Sequence, residues 1–320
     1  MEKKFSDILA EAKSRGLTDE EISRLPTVKR LARRSRHVSA LILAGILLSL
    51  VAIGLEANYG LVDLPSLLSR TFGIELQKQP CLFDNIEPIA DMMRPYVDCD
   101  ICRNMTSIEI VYNVSEEEFT TRFAYTSRPV LIRNATSGWS AHRTFSFDYF
   151  RELYAPGSPA LENTDRDCQF FPYRTSFENL GQVFDMSEER RTGVKGDPWY
   201  IGWSNCDSSV SNELRKHYSK PYFLGDTMET SKTDWIFMGS PGYGAHLHID
   251  AVERPSWQAQ IRGEKEWILE PPPECYFECP PRISTVMKPG DIIVVDTNRW
   301  FHETNVLGDE ISITIGSEYD

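Results

Sequence analysis

The residues best suited to chemistry stand in Gly244-Ala245-His246-Leu247-His248-Ile249-Asp250. On an extended strand, side chains two apart point the same way, so His248 and Asp250 project together. With one more imidazole they make two histidines and a carboxylate on one face of a metal. That facial triad suits non-haem Fe(II) and leaves positions open for oxygen and a co-substrate. The third ligand should come from a neighbouring strand. The run 289–302 supplies it: a Pro-Gly turn, a buried strand (Ile292-Ile293-Val294-Val295) and a short loop to His302, beside Trp300 and Phe301. The chain has six histidines, so a bare HxD says little and its pairing with His302 says more. His246 shares the strand face of His248 and is the rival ligand; the HxD spacing favours His248. Mn or Zn in the same ligand set stays open.

A lysine adds a second kind of chemistry. In the run 257–269, one face carries Trp257, Ala259, Ile261, Gly263, Lys265, Trp267 and Leu269, and the other is largely polar. Lys265 falls on the apolar face, where an unpaired ammonium is costly. Two readings stay open. It meets an anion, such as a small dicarboxylate near a metal, or its stem is buried and its head reaches the edge or a structural carboxylate.

Strands must position these residues. The runs 235–238, 245–251, 257–269, 291–295 and 311–315 are apolar or alternating. Gly239-Ser240-Pro241-Gly242, Pro271-Pro272-Pro273 and Pro289-Gly290 separate them. Short strands at such intervals, without long helices between, predict an antiparallel sandwich or barrel. A further strand is expected over 129–133 and a helix over 145–154. Thr18-Asp19-Glu20-Glu21 has the form of a helix-capping box.

Taken together, these motifs resemble the JmjC and cupin-like family of Fe(II)/2-oxoglutarate oxygenases. The HxD segment, the strand Gln260-Ile261-Arg262-Gly263-Glu264-Lys265-Glu266-Trp267-Ile268-Leu269-Glu270-Pro271-Pro272, and Pro289-Gly290-Asp291 leading to Trp300-Phe301-His302 occur in the family's order. The match is best over 235–315 and extends back to about 108, where Ser127-Arg128-Pro129-Val130-Leu131-Ile132 resembles the family's opening strand. The resemblance implies a mainly β chain with flanking helices, built as a double-stranded β-helix of jelly-roll, cupin-like form. It implies Fe(II) held by His248, Asp250 and His302, with 2-oxoglutarate as co-substrate bound by Lys265 and assisted by Tyr200. The implied product is a hydroxylated, or demethylated, protein side chain. The pattern departs from the asparaginyl hydroxylase branch. Ala245 replaces a co-substrate threonine, an asparagine after the HxD falls among Pro255 and Ser256, and a second asparagine appears as Gly316. These losses favour an alternative, a non-catalytic lumenal metal- or protein-binding module.

Charge and hydropathy give the chain a direction. Net charge is −13, from 34 basic and 47 acidic residues, which argues against a nucleic-acid partner. Residues 1–37 nevertheless carry a net +4. An uncharged apolar run of 18 residues, 38–55, follows directly. It is long enough to cross a bilayer, and the basic residues before it put 1–37 in the cytoplasm. A core helix would show a polar stripe, and a cleaved signal peptide would begin nearer residue 1. The sequence therefore predicts a single-pass type II membrane protein of the endoplasmic reticulum or later secretory pathway. Its parts are a cytoplasmic tail (1–37), a transmembrane signal anchor (38–55), a lumenal stem (56–107) and a lumenal oxygenase domain (108–320). Sequons at Asn104, Asn113 and Asn134 all lie on the lumenal side and are candidate glycosylation sites. So do all seven cysteines. Cys99-Asp100-Ile101-Cys102 lacks visible partners for a zinc site and a βαβ context for a redox site. Disulfides with one thiol left over are expected, their pairing open.

Overall fold

The chain divides into two units, Met1–Ile86 and Glu87–Asp320. The computed structural model describes Arg94, residues 96–252 and 254–320, and isolated positions before them. At those positions Thr18 and Glu21 exchange the hydrogen bonds of a capping box. The expected anchor lies outside the described residues, apart from Gly45. Among the described residues, no helix is long and apolar enough to cross a membrane.

The second unit is built mainly of strands. They are β1 (Glu109–Tyr112), β2 (Val130–Arg133), β3 (Phe170–Phe171), β4 (Tyr200–Asn205), β5 (Asp234–Gly239) and β6 (Ser256–Arg262). Then come β7 (Glu264–Glu270), β8 (Ile283–Met287), β9 (Ile292–Val295), β10 (Phe301–Leu307) and β11 (Ser312–Glu318). An 8-stranded sheet runs β1-β2-β9-β6-β11-β5-β4-β3, and a 3-stranded sheet runs β10-β7-β8. Short helices lie between the early strands: α1 (Glu116–Arg122), α2 (Ala141–Thr144), α3 (Phe147–Leu153) and α4 (Pro159–Asp167). Further on are α5 (Leu180–Phe184), α6 (Glu188–Arg191) and α7 (Ser208–Leu214). Ser115, Ser146 and Ser158 accept backbone N–H groups at the starts of α1, α3 and α4, which fixes where each helix begins.

Strand alternation divides the core into layers. Val130, Ile132, Ile292 and Val294 join the helix-side core with Phe119, Phe147 and Phe150. Leu131, Ile293 and Val295 point the other way, packing with Trp267, Leu269 and Trp300. Burying each of these larger side chains contributes about 1.5–3 kcal/mol.

Two expectations from the sequence change here. The run 257–269 is not one strand with one apolar face. The chain turns at Gly263, whose φ of 65° suits glycine and where a Cβ would come 2.7 Å from the Ile311 carbonyl oxygen. Trp257, Ala259 and Ile261 therefore face the helices, whereas Trp267 and Leu269 face the second core. The run 245–251 is likewise not a regular strand; only His248 forms a bridge, to His302.

Three disulfides cross-link the described residues: Cys99–Cys275, Cys102–Cys279 and Cys168–Cys206, with Cα separations of 5.4, 5.4 and 5.7 Å. Cys81 lies outside the described residues. The CxxC partners that were not visible in the sequence are Cys275 and Cys279. They hold the segment around 99–102 against the second core, where Val97, Ile101 and Ile108 are also buried. Arg94 pairs there with Glu274 and holds its carboxyl down at about 2.

Candidate metal centre

The metal-ligand candidates are assembled by an irregular segment running along β10. Val306 donates to the Tyr243 carbonyl (2.8 Å), Thr304 to Ala245 (2.9 Å) and His302 to His248 (2.8 Å). From Thr304 to His302 the strand advances two residues, while its partner advances three, from Ala245 to His248. The additional residue is a bulge. It breaks the alternation that would have placed His246 beside His248, and His246 is absent from the ligand cluster. Gly244 permits the close approach, since a Cβ there would lie 1.7 Å from the Thr304 carbonyl oxygen.

His248, Asp250 and His302 converge, with ligand atoms all within 4.8 Å of one another. His248 Nε2 lies 3.5 Å from Asp250 Oδ1, and His302 Nε2 lies 3.7 Å from Asp250 Oδ2. Each Nδ1 is taken by a main-chain carbonyl, His246 O at 2.6 Å and Trp300 O at 3.2 Å. Nδ1 therefore carries the proton and Nε2 offers its lone pair to the shared space, an arrangement that orients metal-binding histidines. Burial first, then the His248 charge, pulls His302 down to about 4, so it is neutral at pH 7. Two imidazoles and one carboxylate fit a divalent metal.

Lys265 is fully buried and sits beyond His302. Its Nζ lies 5.4 Å from the Trp267 ring, which stacks on His302 at 5.7 Å and 19°. Lys265 donates to Thr314 Oγ1 (2.7 Å) and Tyr200 Oη (3.3 Å). Among the described residues it has no carboxylate partner. Burial pulls it from 10.5 down to about 7. The hydrogen-bond polarity here is determined. Gln260 Nε2 donates to the Arg262 and Gly263 carbonyls, so its Oε1 accepts from Thr314. Thr314 thus offers Lys265 only a lone pair. Thr304 accepts from the Ala245 N–H and also meets the Tyr200 hydroxyl. Two of the three lysine donors are spent on hydroxyls. One remains without a partner among the described residues, and a buried ammonium donor calls for an anion.

The structure thus brings together His248, Asp250 and His302, with Lys265 and Tyr200 in the adjoining space. Thr304, Thr314 and Gln260 were not singled out in the sequence. Thr304 has a signal, its two-residue spacing from His302, and Thr314 alternates with Ile313 and Ile315. Gly316 leaves no room for the asparagine it replaces: a Cβ there would lie 2.5 Å from the Trp257 carbonyl oxygen. The three sequon asparagines, Asn104, Asn113 and Asn134, are exposed, with φ of 62°, 49° and 55°. Asn113 and Asn134 follow directly on the paired ends of β1 and β2.

A jelly-roll core with two histidines and a carboxylate at one end defines a class of metal-binding β domain. The model of the cupin-like domain matches residues 115–277, and the chain belongs to this family. An arginine-specific demethylase, JMJ22 of Arabidopsis thaliana, is 28% identical over 172 residues, which cover 52% of this chain and 31% of the relative. The chain thus spans about a third of that relative's length. The Drosophila melanogaster 2-oxoglutarate and iron-dependent oxygenase JMJD4 homolog is 20% identical over 266 residues, 64% of this chain and 63% of the relative. Among solved structures, YcfD, a ribosomal oxygenase from Escherichia coli, aligns with a TM-score of 0.43 and 16% identity, covering 67% of this chain and 53% of its own.

Proposed function

We propose that this chain is an Fe(II)- and 2-oxoglutarate-dependent oxygenase that oxidises a C–H bond of a protein side chain. The observation that carries this is a buried, acid-free lysine beside two histidines and a carboxylate. Iron and co-substrate, when bound, supply the oxidation: O2 and 2-oxoglutarate give succinate, CO2 and one oxygen atom for the substrate carbon. The residues of this chain hold and orient. His248, Asp250 and His302 would hold the metal through Nε2, a carboxylate oxygen and Nε2. Lys265 and Tyr200 would grip the far carboxylate. Trp267, packed between His302 and Lys265, excludes water along that wall. Oxidation at an N-methyl carbon would release formaldehyde; elsewhere the product keeps its hydroxyl.

The proposed setting is lumenal, behind a type II anchor at 38–55. Support comes from six cysteines joined in pairs between distant segments, which suits an oxidising compartment. The exposed sequons add to it. Protease protection and glycosidase sensitivity test the topology; residues 1–37 found outside the cytoplasm would sink it.

The deciding experiment uses the full chain in detergent with Fe(II), 2-oxoglutarate and ascorbate. Succinate should form, and should be lost in Asp250→Ala. Ala245 and Gly316 favour the second reading, a non-catalytic binding module. Bound metal without 2-oxoglutarate binding would establish that reading instead. Metal analysis after anaerobic purification separates iron from Mn or Zn.

A further inference from the structure

The turn Pro172-Tyr173-Arg174-Thr175 is closed by the Thr175 N–H on the Pro172 carbonyl at 2.9 Å. Both central residues are left-handed, Tyr173 at φ 43° and Arg174 at φ 63°. Neither is glycine or asparagine, so each works against a steric preference. Strain of this kind persists where the surroundings impose it, and it concentrates at functional sites.

The surroundings here are the candidate site. The Tyr173 ring lies 5.2 Å from Tyr200, 5.9 Å from His248 and 6.5 Å from His246, centroid to centroid. Tyr243 donates its hydroxyl to the Tyr173 carbonyl at 3.0 Å and pins the turn from the other side. Gly202 leaves room chiefly for the Phe237 ring, which a Cβ would meet at 2.7 Å, and brings the backbone close under Tyr173 Cε2, which it would meet at 3.3 Å. The Tyr173 hydroxyl has no hydrogen-bond partner among the described residues. A phenol is protonated at neutral pH, so this hydroxyl is a neutral donor. The ring therefore touches both Tyr200, which accepts from Lys265, and His248, a metal-ligand candidate.

We propose that Tyr173 is a binding residue for the co-substrate, covering a dicarboxylate that reaches from Lys265 to the metal and donating its O–H to one of the carboxylates. The inference rests on the proposed function. It also answers the losses at Ala245 and Gly316, because it supplies a polar partner from a turn outside the motifs.

The test is 2-oxoglutarate affinity of the full chain loaded with Mn(II), followed by tryptophan fluorescence and calorimetry. Tyr173→Phe keeps the ring and removes the donor. A hydrogen bond to a charged group corresponds to about a tenfold loss of affinity or more. That loss is expected with Mn(II) affinity and Tm unchanged. Lys265→Met should abolish binding and serves as the reference. Wild-type binding with less than a threefold change in Tyr173→Phe overturns this inference and leaves the proposed function standing. A wild type that binds Mn(II) but no 2-oxoglutarate overturns both.

Discussion

Lys265 is an ammonium buried between two hydroxyls, and its ionisation gives the site a signature without any ligand. Its folded value, about 7, lies below its ordinary 10.5. Between these values the unfolded chain holds the proton and the folded chain does not, so stability rises with pH across that window. The unliganded protein should therefore gain Tm from about pH 7 towards pH 10, and Lys265→Met should lose that gain. A bound dicarboxylate keeps the lysine charged, so saturating 2-oxoglutarate should flatten the slope and binding at pH 8 should take up a proton. Both are read by thermal melts in paired buffers and by calorimetry in buffers of different ionisation enthalpy. Asp250→Ala should leave this slope in place while removing metal affinity.

At the scale of elements, the register of the 242–248 segment on β10 decides which histidine is a ligand. Gly244→Ala puts a methyl group into the Thr304 carbonyl. It should cost on the order of 1–3 kcal/mol and weaken metal binding more than a distant change of equal cost. Denaturation and Mn(II) titration of the same variant check this. The strands were legible where periodicity was clean: β2, β5, β9 and β11 fall on runs evident in the sequence. The types and spacing of His248, Asp250, His302 and Lys265 were legible too. The bulge was not, because an additional residue in a pairing leaves no mark in one strand alone. Nor was the corner at Gly263, where one alternating pattern continues across two sheets. Tyr173 had no signal at all: its position depends on a strained turn meeting Gly202 and Tyr243 from elsewhere in the chain.

For the whole molecule, the paired cross-links Cys99–Cys275 and Cys102–Cys279 join sequence positions 176 and 177 apart. Closing so long a loop restricts the unfolded chain by roughly 5 kcal/mol. The second bridge closes only a few residues once the first exists, so its increment is small. Cys102→Ser with Cys279→Ser should therefore lower Tm far less than loss of both bridges. Peptide mapping without reductant should recover all three pairings, and a cluster that holds zinc instead would fail it.

That separation also sets an order of events at the ribosome. Cys99 and Cys102 emerge long before Cys275 and Cys279, and for that interval the nearest thiol available to each is the other. The clamp can begin to close only once the 176 residues that separate Cys99 from Cys275 have been made. Maturation of this protein should then depend on an isomerase that undoes early pairing, and the yield of active molecules should follow that enzyme's supply.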